Sequence, residues 1–121
     1  MFFGGNSERK QLERAMRDAG RLPPGQSATL KWPVLHEGSV PRFDPQTWDF
    51  RIAGLVEQPV RLTWDEFTHL PMKQVTADMH CVTRWSRFDV RWEGVPFTEV
   101  LKLAGAKPEA KYVMEIGRAH V

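Results

Sequence analysis

Between residues 22 and 47 the chain carries Pro23, Pro24, Gly25, Pro33, Gly38, Pro41 and Pro45. Proline fixes φ and offers no backbone N–H, so a stretch studded in this way is neither a long helix nor a central strand. It is expected to be extended chain and turns. Without a ladder, the backbone of such a loop must find its partners one by one, and ordered loops of this length are usually functional. Regular structure is thereby confined to the sequence on either side.

Before this stretch, Leu12, Ala15, Met16 and Ala19 recur at helical spacing and predict an amphipathic helix over 8–19, capped by Asn6 or Ser7 and ended by Gly20. After it, Trp48, Phe50 and Ile52 alternate with Asp49 and Arg51 as in a half-buried strand that Gly54 and Pro59 curtail. Thr63 and Glu66 fit a capping box for a short helix that Pro71 stops by His69 or Leu70. Val75, Ala77 and Met79 predict a strand running into His80 and Cys81, and Val90 and Trp92 a further extended pair near Gly94. Pro96 suits the first turn of a helix over 97–104 closed by Gly105, and Lys111 to Met114 reads as the start of another strand. Short strands mixed with short helices point to an α+β or mostly-β architecture, with no internal repeat.

A length of 121 residues with 41% hydrophobic and 26% charged residues is that of one soluble globular domain, or part of one. Apolar runs are too short for a membrane span. Six Lys/Arg against three acids fall in residues 1–31, and eleven against twelve in the rest, so the net charge of +2 reflects the N-terminal segment. A near-neutral body argues against a nucleic-acid partner despite five tryptophans, which are expected to pack in the core or its rim. Met1-Phe2-Phe3 precedes any positive charge and no apolar segment follows, so a cytoplasmic protein is expected. The last seven residues, Glu115 to Val121, read as the translation of a common short-read sequencing adapter, which removes His120 from functional reasoning. The expected organisation is a helical segment over 1–21, a domain portion over 22–114 and a non-native tail over 115–121, with native sequence continuing past Met114.

With one cysteine there is no internal disulfide. Cys81 lies in Asp78-Met79-His80-Cys81-Val82-Thr83-Arg84-Trp85-Ser86. A lone cysteine is commonly a small buried hydrophobe. Arg84 and His80 nearby would instead favour a thiolate, which is a soft metal ligand or a nucleophile. The spacing of His36, His69, His80 and Cys81 matches no zinc signature, and no orienting partner is implied for a Cys–His hydrolase. Arg84, Arg87, Arg91 and Lys73 read as solvated charges, and Asp78 and Asp89 as groups that orient backbone or arginines.

Several segments, in order, resemble the molybdopterin-binding domain of the sulfite oxidase family, and in particular its small bacterial sulfite oxidase-like branch. They are Leu22-Pro23-Pro24-Gly25-Gln26, Trp32-Pro33-Val34-Leu35-His36 running to Pro41, Phe43-Asp44-Pro45 with Trp48, Gly54-Leu55-Val56-Glu57 with Pro59, Leu62-Thr63-Trp64 with Phe67, the Cys81 segment, and Trp92-Glu93-Gly94-Val95. The resemblance covers about residues 22–114. It implies an incomplete copy of a mixed, strand-rich α+β fold and an oxidoreductase that transfers an oxygen atom at a molybdenum–molybdopterin cofactor. Cys81 matches the thiolate ligand of the metal, and so the catalytic position. His36 lies where a polar residue helps hold the pterin, and Trp85 and Ser86 match residues that shape the pocket beside the cysteine. Arg84, also assigned to cofactor binding, stands where methionine-sulfoxide-reductase relatives carry an uncharged residue. It is not at the later arginine position of sulfite oxidases, so the resemblance assigns no substrate beyond a small oxo-acceptor or oxo-donor, and no redox partner. The other expectation is a truncated chain without activity that serves as a structural or binding domain.

Overall fold

The computed structural model describes residues 4–36 and 38–117; His120 and the rest of 118–121 lie outside the described residues, as does the Met1-Phe2-Phe3 start. The element order is α1 (Gly4–Asp18), β1 (Ser27–Ala28), β2 (Asp49–Ile52), β3 (Val60–Thr63), α2 (Trp64–Thr68), β4 (Lys73–His80), β5 (Trp85–Gly94) and α3 (Phe97–Ala104). This is a mixed α+β architecture. The chain forms two compact units, one taking the sequence up to Val34 together with Gln74–Trp92, the other Leu35–Lys73 and the chain from Glu93 on.

In the first unit, α1 starts earlier than its periodicity predicts, so Asn6 and Ser7 lie inside the helix rather than capping it. Its end is as expected. Gly20 takes φ 68°, its N–H reaches the Arg17 carbonyl at 3.0 Å, and the Arg21 N–H reaches the Met16 carbonyl at 2.9 Å. That pair of bonds is a Schellman motif, which satisfies carbonyls the helix leaves free. The turn after it is built by Pro23-Pro24-Gly25-Gln26, with Gln26 N–H on the Pro23 carbonyl at 3.2 Å and φ 76° at Gly25. Proline second and a left-handed glycine third is the pattern of a type II turn. It delivers the chain into β1, a two-residue strand inside the proline-rich stretch that pattern reading treats as loop.

The three-stranded sheet has the order β1-β5-β4, with β1 parallel to β5 and Ser27 opposite Trp85. The Ser27 N–H bonds the Arg84 carbonyl at 3.0 Å and the Thr29 N–H the Ser86 carbonyl at 2.9 Å. Ala28 faces the other way, where no strand follows among the described residues. Its N–H is taken by Glu13 at 3.0 Å and its carbonyl by Arg9 at 3.5 Å, so side chains of α1 close the sheet edge. The Ala28 N–H, helped by Arg17 and Arg9, holds the Glu13 carboxyl below its ordinary pKa.

The extended pair expected near Gly94 is the end of a ten-residue strand, β5. Asp89 within it has φ 51°. Residues seven apart on a regular pleat face opposite sides. Trp32 nevertheless meets both Trp85 and Trp92 edge-on, at 5.8 and 6.0 Å. The left-handed residue acts as a bulge that shifts the alternation and brings both indoles to one face. Arg21 ties the bulge down, bonding Asp78 through two nitrogens at 3.2 and 2.7 Å and Asp89 at 2.7 Å, while the Asp89 N–H donates to Asp78 at 2.9 Å. Asp78 and Asp89 thus orient an arginine and backbone, as the sequence implies.

In the second unit, β2 pairs antiparallel with β3, a strand not evident from the pattern because only four residues separate Pro59 from the helix. Phe50 faces Leu62 and Ile52 faces Val60 on the half-buried side; Arg51 opposes Arg61 on the other. That like-charge pair is bridged by Asp49, which accepts from both at 2.7 and 2.6 Å. The capping box forms as expected, with the Thr63 hydroxyl accepting from the Glu66 N–H and the Glu66 carboxylate from the Thr63 N–H. Trp48 packs on Trp64 at 5.1 Å and Phe67 at 5.3 Å, and Phe43 on Trp64 at 4.9 Å. Lys111 to Met114 forms no strand in the described residues; Tyr112 is 92% exposed, having no neighbouring strand to pair with.

Helix α3 begins after Pro96, which is its N-cap rather than a first-turn residue, and buries Val100 and Ala104. Its C-terminal carbonyls, Ala104 and Gly105, accept from Gln58 at 3.1 Å and Glu57 at 2.7 Å. Gly105 has φ 64°, and a Cβ there would stand 3.2 Å from the Glu57 side chain. Gly105→Ala is therefore expected to destabilise the fold by about 1–2 kcal/mol from the left-handed backbone alone. A lower midpoint in denaturant-induced unfolding checks this, and an unchanged midpoint contradicts it.

Candidate functional site

The hairpin between β4 and β5 turns through Cys81-Val82-Thr83-Arg84. The Cys81 N–H bonds the Trp85 carbonyl at 2.9 Å and the Arg84 N–H the Cys81 carbonyl at 3.0 Å, with Arg84 left-handed at φ 71°. A tight turn closed by a left-handed residue matches the right-handed twist of the two strands. It places Cys81 at the head of the turn, half-buried, rather than in the core where a purely structural cysteine sits.

The Cys81 sulfur is surrounded by donors. The Thr83 hydroxyl donates to it at 3.2 Å, and the backbone N–H groups of Thr83 and Val82 add to this. These hydrogen bonds, the Thr83 hydroxyl first, hold the thiol below its ordinary pKa against a small opposing effect of burial. The sequence expectation of a thiolate finds support, but its physical source is different. Arg84 and His80, near in sequence, do not lower the Cys81 pKa; consecutive N–H groups and a hydroxyl in the turn act instead, because the left-handed Arg84 is exposed to solvent and His80 is engaged with Ser86. Thr83 is the residue that sequence reading missed. A hydroxyl two positions after a turn cysteine was the available signal.

Ser86 is completely buried. Its hydroxyl donates to Gln26 Oε1 at 3.0 Å and lies 2.8 Å from His80 Nδ1. One hydroxyl proton cannot serve both, so His80 Nδ1 carries the hydrogen of the second bond. Gln26 completes the set by donating from Nε2 to the Cys81 carbonyl at 2.9 Å. Trp85 presents the other side of the strand, packed against Trp32, over which the Arg87 guanidinium lies at 4.7 Å. The Trp85 Nε1 is buried and has no hydrogen-bond partner among the described residues. A buried N–H without a partner is uncommon in a folded protein.

The first unit thus brings together Cys81, Arg84, Trp85 and Ser86, and adds Gln26, Thr83 and His80. His36 belongs to the second unit, where its Nδ1 lies 2.7 Å from the Gly38 carbonyl and its ring is exposed. Among the described residues there is no group of three or more His, Cys, Asp or Glu that could hold a metal ion. A metal brought by a cofactor that supplies most of its ligands needs only one from the protein, and a half-buried cysteine sulfur with a lowered pKa is of the right chemical kind. No helix among the described residues is long and apolar enough to cross a membrane.

A family model, the oxidoreductase molybdopterin binding domain, matches residues 37–120. The chain is 38% identical over 115 residues to the uncharacterized oxidoreductase YuiH of Bacillus subtilis, covering 94% of this chain and 54% of that protein. It is 36% identical to the protein-methionine-sulfoxide reductase catalytic subunit MsrP of Gluconobacter oxydans, over 59% of this chain and 23% of that one. A barley (Hordeum vulgare) nitrate reductase [NADH] is 43% identical over 40% of this chain and 5% of its own length. The chain therefore spans about half the length of YuiH and less of the others. No solved structure matches the chain significantly.

Because Cys81 is the sole cysteine, alkylation by iodoacetamide reads its thiolate directly. Thr83→Val keeps the side-chain shape and removes the largest of the pKa-lowering bonds. The Cys81 pKa is then expected to rise, so that at neutral pH the thiolate fraction and the alkylation rate both fall. An alkylation–pH profile identical to that of the unaltered chain would contradict this origin of the shift.

Proposed function

The chain belongs to the oxidoreductase molybdopterin-binding domain family, and on that footing we propose that Cys81 is the protein ligand of molybdenum–molybdopterin in a domain that serves oxygen-atom transfer. The observation that carries the reading is the Cys81 sulfur itself, held at a turn by three donors that favour its anionic form. When bound, the cofactor supplies a two-electron exchange of an oxygen atom with a small oxo-acceptor or oxo-donor.

The chain's own residues are assigned as follows. Thr83 lowers the pKa of the thiol and so favours its anionic form. Trp85, packed edge-on against Trp32, shapes the pocket beside the cysteine. Arg84, exposed at the turn and with no side-chain partner among the described residues, is placed to meet the pterin phosphate as a charge-assisted donor. His36, whose Nδ1 lies 2.7 Å from the Gly38 carbonyl, keeps its assignment as a polar contact to the pterin on the resemblance alone. Ser86 is reassigned. Its hydroxyl is buried and committed to Gln26 and His80, so it holds the site's shape instead of touching the cofactor.

The relatives named as methionine-sulfoxide and nitrate reductases support oxygen-atom transfer as the reaction class. A redox partner of unspecified kind and a cytoplasmic location belong to the same proposal; fractionation of cells expressing the native protein tests the location.

Cys81→Ser decides the central point. Loss of groups that merely support a metal ligand costs 10–100-fold in affinity or activity, so losing the ligand is expected to cost at least roughly a hundredfold. Protein produced in a cofactor-synthesising host is measured for molybdenum per chain and for turnover of a sulfoxide or comparable oxo-donor. Undiminished molybdenum and turnover in Cys81→Ser would refute the assignment.

A further inference from the structure

We propose that Gln26 is a positioning residue for Cys81, its side-chain amide clamping the head of the β4–β5 turn from the segment that leads into β1. The proposal rests on the reading of Cys81 as the functional ligand, but the clamp itself is a matter of geometry.

The Cys81 carbonyl receives two donors, the Arg84 N–H at 3.0 Å, which closes the turn, and Gln26 Nε2 at 2.9 Å, which comes from 55 residues away in sequence. Together they occupy both lone pairs of that oxygen. The amide orientation is unambiguous. Rotating it by half a turn would set its oxygen against the Cys81 carbonyl oxygen, two acceptors facing each other, and would lose the bond to Cys81. In the observed orientation Oε1 accepts from the buried Ser86 hydroxyl at 3.0 Å, and that hydroxyl accepts in turn from His80 Nδ1 at 2.8 Å. His80 and Ser86 flank the turn on its two strands. The amide therefore ties both arms of the hairpin and its head to a single side chain.

The backbone is arranged to deliver this side chain. The Pro23–Gln26 turn, with Gly25 left-handed at φ 76°, reverses the chain immediately before Gln26. The next residue, Ser27, is locked to the Arg84 carbonyl at 3.0 Å. The Gln26 backbone is thus held on both sides, and little backbone freedom is left to lose when the amide binds. The Pro-Pro-Gly-Gln run acquires a physical purpose: two rigid residues and one permissive one aim an amide at the residue that bears the sulfur.

The two halves of the amide can be separated. Gln26→Glu retains an acceptor for Ser86 but has no donor for the Cys81 carbonyl, and Gln26→Met keeps length and removes both. Amide hydrogen exchange in the cofactor-free chain reads the turn through the Arg84 N–H. Loss of one net hydrogen bond is expected to speed Arg84 exchange by roughly three- to tenfold in either variant. Amides in β2 and β3 serve as the internal reference and stay unchanged. In protein loaded with cofactor, the thiolate-to-metal absorption band is expected to move in Gln26→Glu at unaltered molybdenum content. Unchanged Arg84 exchange in both variants, or equal acceleration across all strands as in general destabilisation, would overturn the proposal. Should Cys81→Ser retain full molybdenum, the ligand reading fails while the exchange result still judges the clamp.

Discussion

Two backbone hydrogen bonds, from Ser27 to Arg84 and from Thr29 to Ser86, are what the first unit is built around. They are the whole of a parallel pairing only two residues long. Parallel pairing needs a long connection, and here the link is the entire sequence between residues 28 and 85. Through this contact the proline-rich stretch gains a ladder, β5 becomes the middle strand, and α1 acquires a role in covering the outer edge at Ala28. Without it, nothing would bring Gln26 to the Cys81 turn.

The interior of this unit is small and partly polar. Leu22 and Ala28 are its buried apolar residues, and Ser86 is its most deeply buried side chain. A hydroxyl in that position is costly unless both its bonding capacities are met, and His80 and Gln26 meet them. Polar satisfaction therefore does some of what a larger apolar core would do, and it fixes the geometry around the cysteine more sharply, because hydrogen bonds are directional and dispersion contacts are not. In the second unit the aromatic cluster of Phe43, Trp48, Phe50, Trp64 and Phe67 takes the usual hydrophobic part.

The donor arrangement at Cys81 explains how a lone cysteine can be poised without a cationic side chain against it. Backbone N–H groups in a tight turn carry fixed partial charge that costs nothing to orient, and the Thr83 hydroxyl adds a movable one. Such a sulfur suits a cofactor-borne metal. The same logic leaves the Arg84 charge outward, available to an anion instead of being spent on the thiol.

The elements whose signals are local were readable in advance. The Thr63–Glu66 capping box, the Gly20 and Gly105 helix ends and the alternation in β2 each involve residues a few positions apart, so local sequence is enough to specify them. The sequence also draws attention to Cys81, through its place in an ordered set of family-like segments. Other features depend on residues far apart and emerge only when the chain packs: β1 pairing with β5, Trp85 and Trp92 sharing a face because Asp89 is left-handed, and Gln26 reaching Cys81 and Ser86. A two-residue strand has no periodicity to read, a bulge inverts the pattern that periodicity assumes, and a long-range side-chain bond leaves no mark on local composition. The cause of the lowered Cys81 pKa belongs to the same class, since sequence proximity favours Arg84 and His80, whereas the backbone conformation of the turn selects Thr83 and the N–H groups beside it.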